Sequence, residues 1–304
     1  MNHKTAPVRL AIVVLVGLTG CVTDDQLAPV RTFSAAATSF SSQAGRALAR
    51  LNESYVDRNM AKVASGDRQV SDATFEGVLD NDAGFKASQD ALKAIGCYAE
   101  ALDCIATASY QADIDKGATG LYGSLQSIDR DAGKLLPGAP RISDADLGIV
   151  ATAVRAVGGV IAEEKRIEAI RKAVHTADPG IQAICRGFAA TLAGVRDTYH
   201  KNLDVVYTSK FEAYKAEAGN LTYDARLARL AELREARRAI SDADALLGEL
   251  SDSAKALGSA HAKIEASLED NKLDAASVIR EVGQLKSLAD DLKTFNAGLK
   301  KDKP

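Results

Sequence analysis

The chain has 304 residues, with 38 basic and 41 acidic side chains and a pI near 5.9, so its charge offers no case for nucleic-acid binding. Aromatic residues make up 5% and tryptophan is absent. A chain so poor in large rings and so rich in Ala and Leu packs slim helices more readily than sheets.

The first twenty residues are set apart from the rest. His3, Lys4 and Arg9 give a cationic start, a short apolar run follows from Leu10 to Leu18, and the stretch closes on Leu18-Thr19-Gly20-Cys21. The run is shorter than the roughly 20 apolar residues a spanning helix needs, and its layout is that of a secretory signal. Leu18 to Cys21 resembles the lipobox of bacterial lipoproteins. The resemblance covers only this leader and implies that residues 1–20 are cleaved and that Cys21 is acylated as residue one of the mature chain. Several acyl chains on one cysteine would hold a soluble body at a bilayer almost permanently. In that family Asp directly after the cysteine tends to retain the protein in the inner membrane. Here the position is Val22, with Asp24 and Asp25 further on, so the resemblance implies the outer membrane, facing the periplasm. Residues 21–30 then read as the lipidated cysteine and a short tether.

Along the mature chain, apolar residues recur at helical spacing nearly everywhere, and no segment alternates like a strand. Phe33, Ala37, Phe40, Ala44, Ala47 and Leu51 predict a first helix over 28–64. Gly66 opens a polar stretch to about residue 82, with a short helix near Phe75 and Leu79, and a second helical region, continuous or broken, runs from 85 to 133. Leu136-Pro137-Gly138-Ala139-Pro140 cannot lie inside a helix and divides an N-terminal helical region, 31–140, from a C-terminal bundle, 141–304. Ser143 with Asp146 is a capping pair that opens a helix to about 176. Asp178 before Pro179 predicts a fresh helix start, running to Gly219-Asn220.

The last third carries the strongest pattern. Leu233, Ala236, Ile240, Ala243, Leu247, Leu250, Ala254, Leu257, His261, Ile264 and Leu268 alternate steps of three and four, as in a coiled-coil seam. His261 is its one polar member. A break at Glu269-Asp270-Asn271-Lys272 and a cap at Asp274 precede a second seam of Val278, Leu285, Leu288, Leu292, Phe295 and Leu299. The hairpin over 222–299 should be antiparallel, and its first helix about 70 Å long. The expected fold is all-α, an elongated antiparallel bundle with long coiled-coil-like helices.

Sites of chemistry are few. Cys97 and Cys104 stand seven apart, beyond disulfide reach in an unbroken helix, so a bridge between them needs a turn, for which Gly96 offers a place. Either of them paired with Cys185, or no bridge, are the alternatives; Cys185 falls on an apolar seam with Phe188, Leu192, Val195 and Tyr199 and reads as a buried thiol. His175, His200 and His261 are far apart, with no HExxH helix and no Cys/His spacing for zinc. His200 with Asp204 reads as an exposed helical pair. Asp80-Asn81-Asp82 and Asp113-Ile114-Asp115 lack the later ligands of a calcium loop and read as helix ends. No catalytic residue, metal, cofactor or small-molecule substrate is inferred.

The apolar segment 147–162 reads as the central helix of a bundle, covered on every side. A membrane-perturbing insert is the sharper alternative, by its likeness to the long-helix pore-forming toxins. The functional expectation is a lipid-anchored structural or protein-interaction module of the envelope, with no enzymatic activity. It would touch the membrane through Cys21 and bind an envelope protein, not nucleic acid. The alternative is a periplasmic inhibitor or immunity lipoprotein against a toxin or a cell-wall enzyme.

Overall fold

A computed structural model describes residues 23–157, 163–269 and 275–301. Cys21, the leader before it, residues 158–162 and the break and cap expected at 270–274 lie outside the described residues. Within them the chain forms seven α-helices, α1 (Thr23–Ala64), α2 (Ala83–Thr107), α3 (Gln111–Leu135), α4 (Asp144–Val157), α5 (Glu163–Glu217), α6 (Tyr223–Glu269) and α7 (Ala275–Lys301), and no strand. Two short 3-10 turns, Asp72–Thr74 and Val78–Asn81, carry the polar stretch after α1. Helix α1 thus takes in most of the residues read as a tether.

Local signals explain most of the boundaries. Asp82 caps α2 by accepting from the Phe85 amide at 2.7 Å, which satisfies a donor the first turn would leave orphaned. At α4 the Ser143 hydroxyl donates to Asp146 at 2.6 Å and accepts from the Asp146 amide at 3.1 Å, the capping pair read from sequence. The α3–α4 connection turns on Gly138, whose φ of 86° suits a residue without a side chain. It is pinned there by Arg141, whose guanidinium meets the Asp129 carboxylate at 2.9 and 2.6 Å.

The core is continuous from α1 to α7, so residue 140 marks a turn and not the border of two separate cores. Its helices run in alternating directions. Asp178 of α5 faces His261 of α6, Gln182 faces Gly258 and His200 faces Asp244, an antiparallel register. Helix α1 instead runs parallel to α5: Phe33 packs beside His261 at the level of Asp178, and Ser54 bonds Asn202 at 3.1 Å. The seam of α6 is buried as its spacing predicts, from Ala243 through Leu247, Leu250, Ala254, Leu257, His261 and Ile264 to Leu268. Each large apolar member contributes about 1.5–3 kcal/mol by leaving water. Val278, Leu285 and Leu292 of α7 are buried with it.

Three expectations are corrected. Pro179 does not begin a helix: α5 runs unbroken for 55 residues with Pro179 inside it. The cost of an internal proline, about 3 kcal/mol, is offset because Val174, Ala177, Ile181 and Ile184 on either side are buried. Gly96 does not supply a turn either. Helix α2 passes straight through it, and a side chain there would reach within 2.8 Å of the Ser41 hydroxyl, so this glycine permits close approach of α1. Without that turn Cys97 and Cys104 stay about 10 Å apart along the axis and are free, as is Cys185. Lastly, α4 is not wrapped on all sides. Leu147, Val150, Val154 and Val157 face the core, while Ile149 is 51% exposed on the outer face.

Glycine also sets the distance between α3 and α5. A side chain at Gly187 would come within 2.6 Å of Leu135 Cβ and 3.0 Å of its backbone oxygen, and one at Gly180 within 2.6 Å of Ile128.

Candidate functional site

Two regions of α5 and α6 stand out, one at the core and one beyond it. At the core, the imidazole of His261 is fully buried between two partners from different helices. Its Nε2 lies 3.0 Å from the Tyr98 hydroxyl of α2 and its Nδ1 lies 2.8 Å from Oδ1 of Asp178. Burial, then the Asp178 and Glu265 carboxylates, push the Tyr98 phenol well above its ordinary value, so the phenol keeps its proton. Nδ1–H donates to the Asp178 carboxylate, and both ring nitrogens have a hydrogen-bond partner. Burial pushes the Asp178 carboxyl up, but hydrogen bonds from His261 and Gln182 outweigh it and hold it below the ordinary carboxylate value. Gln182 also donates to the Gly258 carbonyl at 2.9 Å, so one amide serves both helices.

A Tyr–His–Asp chain resembles the relay that activates a nucleophile, in which the base must reach a reacting proton. Here the imidazole has no face open to solvent. The chain ties α2, α5 and α6 into one register. The seam tolerates a histidine because its two nitrogens replace water with a phenol and a carboxylate.

On the surface beside this network, His175 of α5 meets two carboxylates of α6. Its Nδ1 is 2.8 Å from Glu265 and 3.3 Å from Glu269. His200 likewise meets α6, through Asp244 at 3.0 Å, which Arg196 also holds at 2.6 Å; its partner is across the helix pair and not the Asp204 one turn on. Cys185 sits under Gly258, and burial pushes its thiol up to about 12, so it stays protonated and unreactive.

Beyond the core, α5 and α6 continue as a two-helix tip. The apolar seam fades: of the residues from 223 to 242 only Leu233 is buried. The two helices of the tip are joined instead by Arg237 over Tyr207 and by exposed ion pairs such as Lys210 with Glu232 at 3.7 Å, while Tyr207, Phe211 and Lys215 stack along α5 itself. Phe211, Tyr223, Leu227 and Leu230 are exposed on it. None of these four was singled out in the sequence, although the drop in apolar density before Leu233 is visible there.

Among the described residues no helix is long and apolar enough to cross a membrane. Compared with protein-family models, curated proteins and solved structures, the chain finds no match.

Proposed function

We propose that this protein is a lipid-anchored helical module of the cell envelope that acts by binding another envelope component through the α5–α6 tip. The single observation that carries the reading is the tip itself: two helices that leave the core, lose their seam and expose Phe211 on α5 and Tyr223, Leu227 and Leu230 on one face of α6. Large apolar groups exposed along one helix face favour protein contact. The lipobox-like Leu18-Thr19-Gly20-Cys21 supports the anchor, and Val22 after it supports the outer membrane facing the periplasm. The parallel course of α1 and α5 fits an anchor at the N-terminus. From the level of Phe33 and Asp178 to Glu217, α5 rises about 60 Å, so a chain held by its N-terminus would present the tip far from the bilayer.

The test has two arms. Cys21→Ser should release the protein from membranes or leave its leader uncleaved; unchanged partitioning into detergent would remove the anchor. A photo-crosslinking residue at Leu227, compared in living cells with one at the exposed position Ile279, should trap a dominant partner from the tip alone. Equal or absent capture from the two positions would remove the binding role.

A further inference from the structure

We propose that His175, Glu265 and Glu269 form a site for one divalent transition-metal ion, with zinc the ion its donors suit best, clamping α5 to α6 at the end of the bundle away from the tip. Glu265 and Glu269 lie one turn apart on α6, the spacing that places two side chains on one helix face. The antiparallel register puts His175 between them, and the three ligand atoms lie within 4.8 Å of one another. Around a tetrahedral ion with bonds of about 2.0–2.2 Å, neighbouring ligand atoms stand roughly 3.3–3.6 Å apart. Side-chain rotation alone closes that difference, because His175 is 66% exposed and Glu269 54%, while Glu265, at 22%, is the fixed member.

The present contacts are poorly resolved as hydrogen bonds. Both carboxylates point at the same Nδ1, and that nitrogen has at most one proton to give. A cation would give each oxygen a bond of its own. The local charge favours one as well, since the Asp178 carboxylate lies behind Glu265. Among the described residues, the cations one turn away on α5 have carboxylate and carbonyl partners. Arg171 bonds Glu168 at 2.8 Å and the Leu268 carbonyl at 2.7 Å, and Lys172 bonds Glu168 at 3.2 Å. One imidazole with two carboxylates suits zinc and its neighbours better than magnesium or calcium, which take oxygen alone. Water would fill the remaining position.

Zinc chloride titrated calorimetrically into the untagged full chain tests this. One ion per chain should bind, the melting temperature should rise with zinc because only the folded chain assembles the site, and magnesium should not substitute. His175→Ala and Glu269→Gln, both at exposed positions, should each weaken binding at least tenfold, while His200→Ala leaves it unchanged. Absence of binding, or wild-type binding by His175→Ala, would overturn the site.

Discussion

His261 and Asp178 are 83 residues apart in sequence and 2.8 Å apart in space, and that bond decides what a histidine does in an apolar seam. Met alone in a core, an imidazole would weaken the seam, and leucine would improve it. Held between Asp178 and Tyr98, it is the partner of the buried Tyr98 hydroxyl and shares the part-buried Asp178 carboxylate with the Gln182 amide. His261→Leu should therefore destabilise the protein, by about 1–3 kcal/mol, the cost of leaving the buried phenol without a hydrogen bond. Denaturant unfolding of the variant measures it; a midpoint at or above wild type would show that the bonds contribute nothing.

The same bond fixes a pH dependence. The folded Asp178 carboxyl sits below its ordinary value, so it adds stability above the unfolded carboxylate range. That stability is lost as pH falls through the folded value. Asp178→Asn should flatten the acid limb of the melting curve below about pH 4, where ordinary aspartates titrate. If wild type and variant lose stability in parallel there, Asp178 is not the titrating group.

Two glycines on α5 should respond oppositely to alanine. At Gly187 the new methyl meets the Leu135 backbone, and relieving it means separating two helices. A loss of about 1–3 kcal/mol is expected from such overpacking. At Gly194 nothing lies within 4 Å, so alanine should stabilise by about 0.5–1 kcal/mol through helix propensity alone. Thermal melts of the two single variants check the pair, and a shift of the same sign in both would contradict the close approach of α3 and α5.

Arg166 offers a fourth test. This buried guanidinium donates to the carbonyls of Ala106 and Ala108 at 3.3 and 2.8 Å, closing the C-terminal end of α2. Arg166→Met keeps the stem and removes the donors, and should cost about 1.5–3 kcal/mol, the range for hydrogen bonds from a charged group. Amides of the last turn of α2 should lose protection from exchange while those near Leu92 keep theirs.

The tip should open first. Exposed ion pairs are worth roughly 0–1 kcal/mol each, far less than the buried seam below, so amides over 205–217 and 223–235 should exchange by local opening well before those over 246–264. Uniform exchange along α6 would mean that the tip is as stable as the bundle.

The sequence was most readable where one helix face decides everything. From Ala243 to Leu268 the α6 seam could be read from its spacing, because burial there follows steps of three and four, whereas Ala236 and Ile240, read as seam members, lie where α6 has left the core and are only half-buried. Reading failed where a local signal met a long-range one. Pro179 carries the mark of a helix start, yet packing of Ala177 and Ile181 overrides it; Gly96 reads as a turn when the reason for it is Ser41 on another helix. The Asp178 and Glu265 partners of the histidines were hidden by sequence distance, although folding α6 back on α5 about residue 220 sets 175 against 265. In α4 the open side is marked only by Gly148, Thr152 and Arg155, all exposed, and the exposed Ile149 among the apolar residues around them hides that mark.

The parallel course of α1 and α5 also settles how the molecule would carry a load. A pull applied between the N-terminal end of α1 and the turn at 218–222 runs along the helix axes. Contacts such as Ser54 with Asn202 would then be strained in shear, many at once, and not peeled apart one after another. The same bundle pulled sideways at the tip would meet only the weakly held pairs of Lys210 and Arg237. The bundle should therefore resist force along its helix axes better than force across the tip.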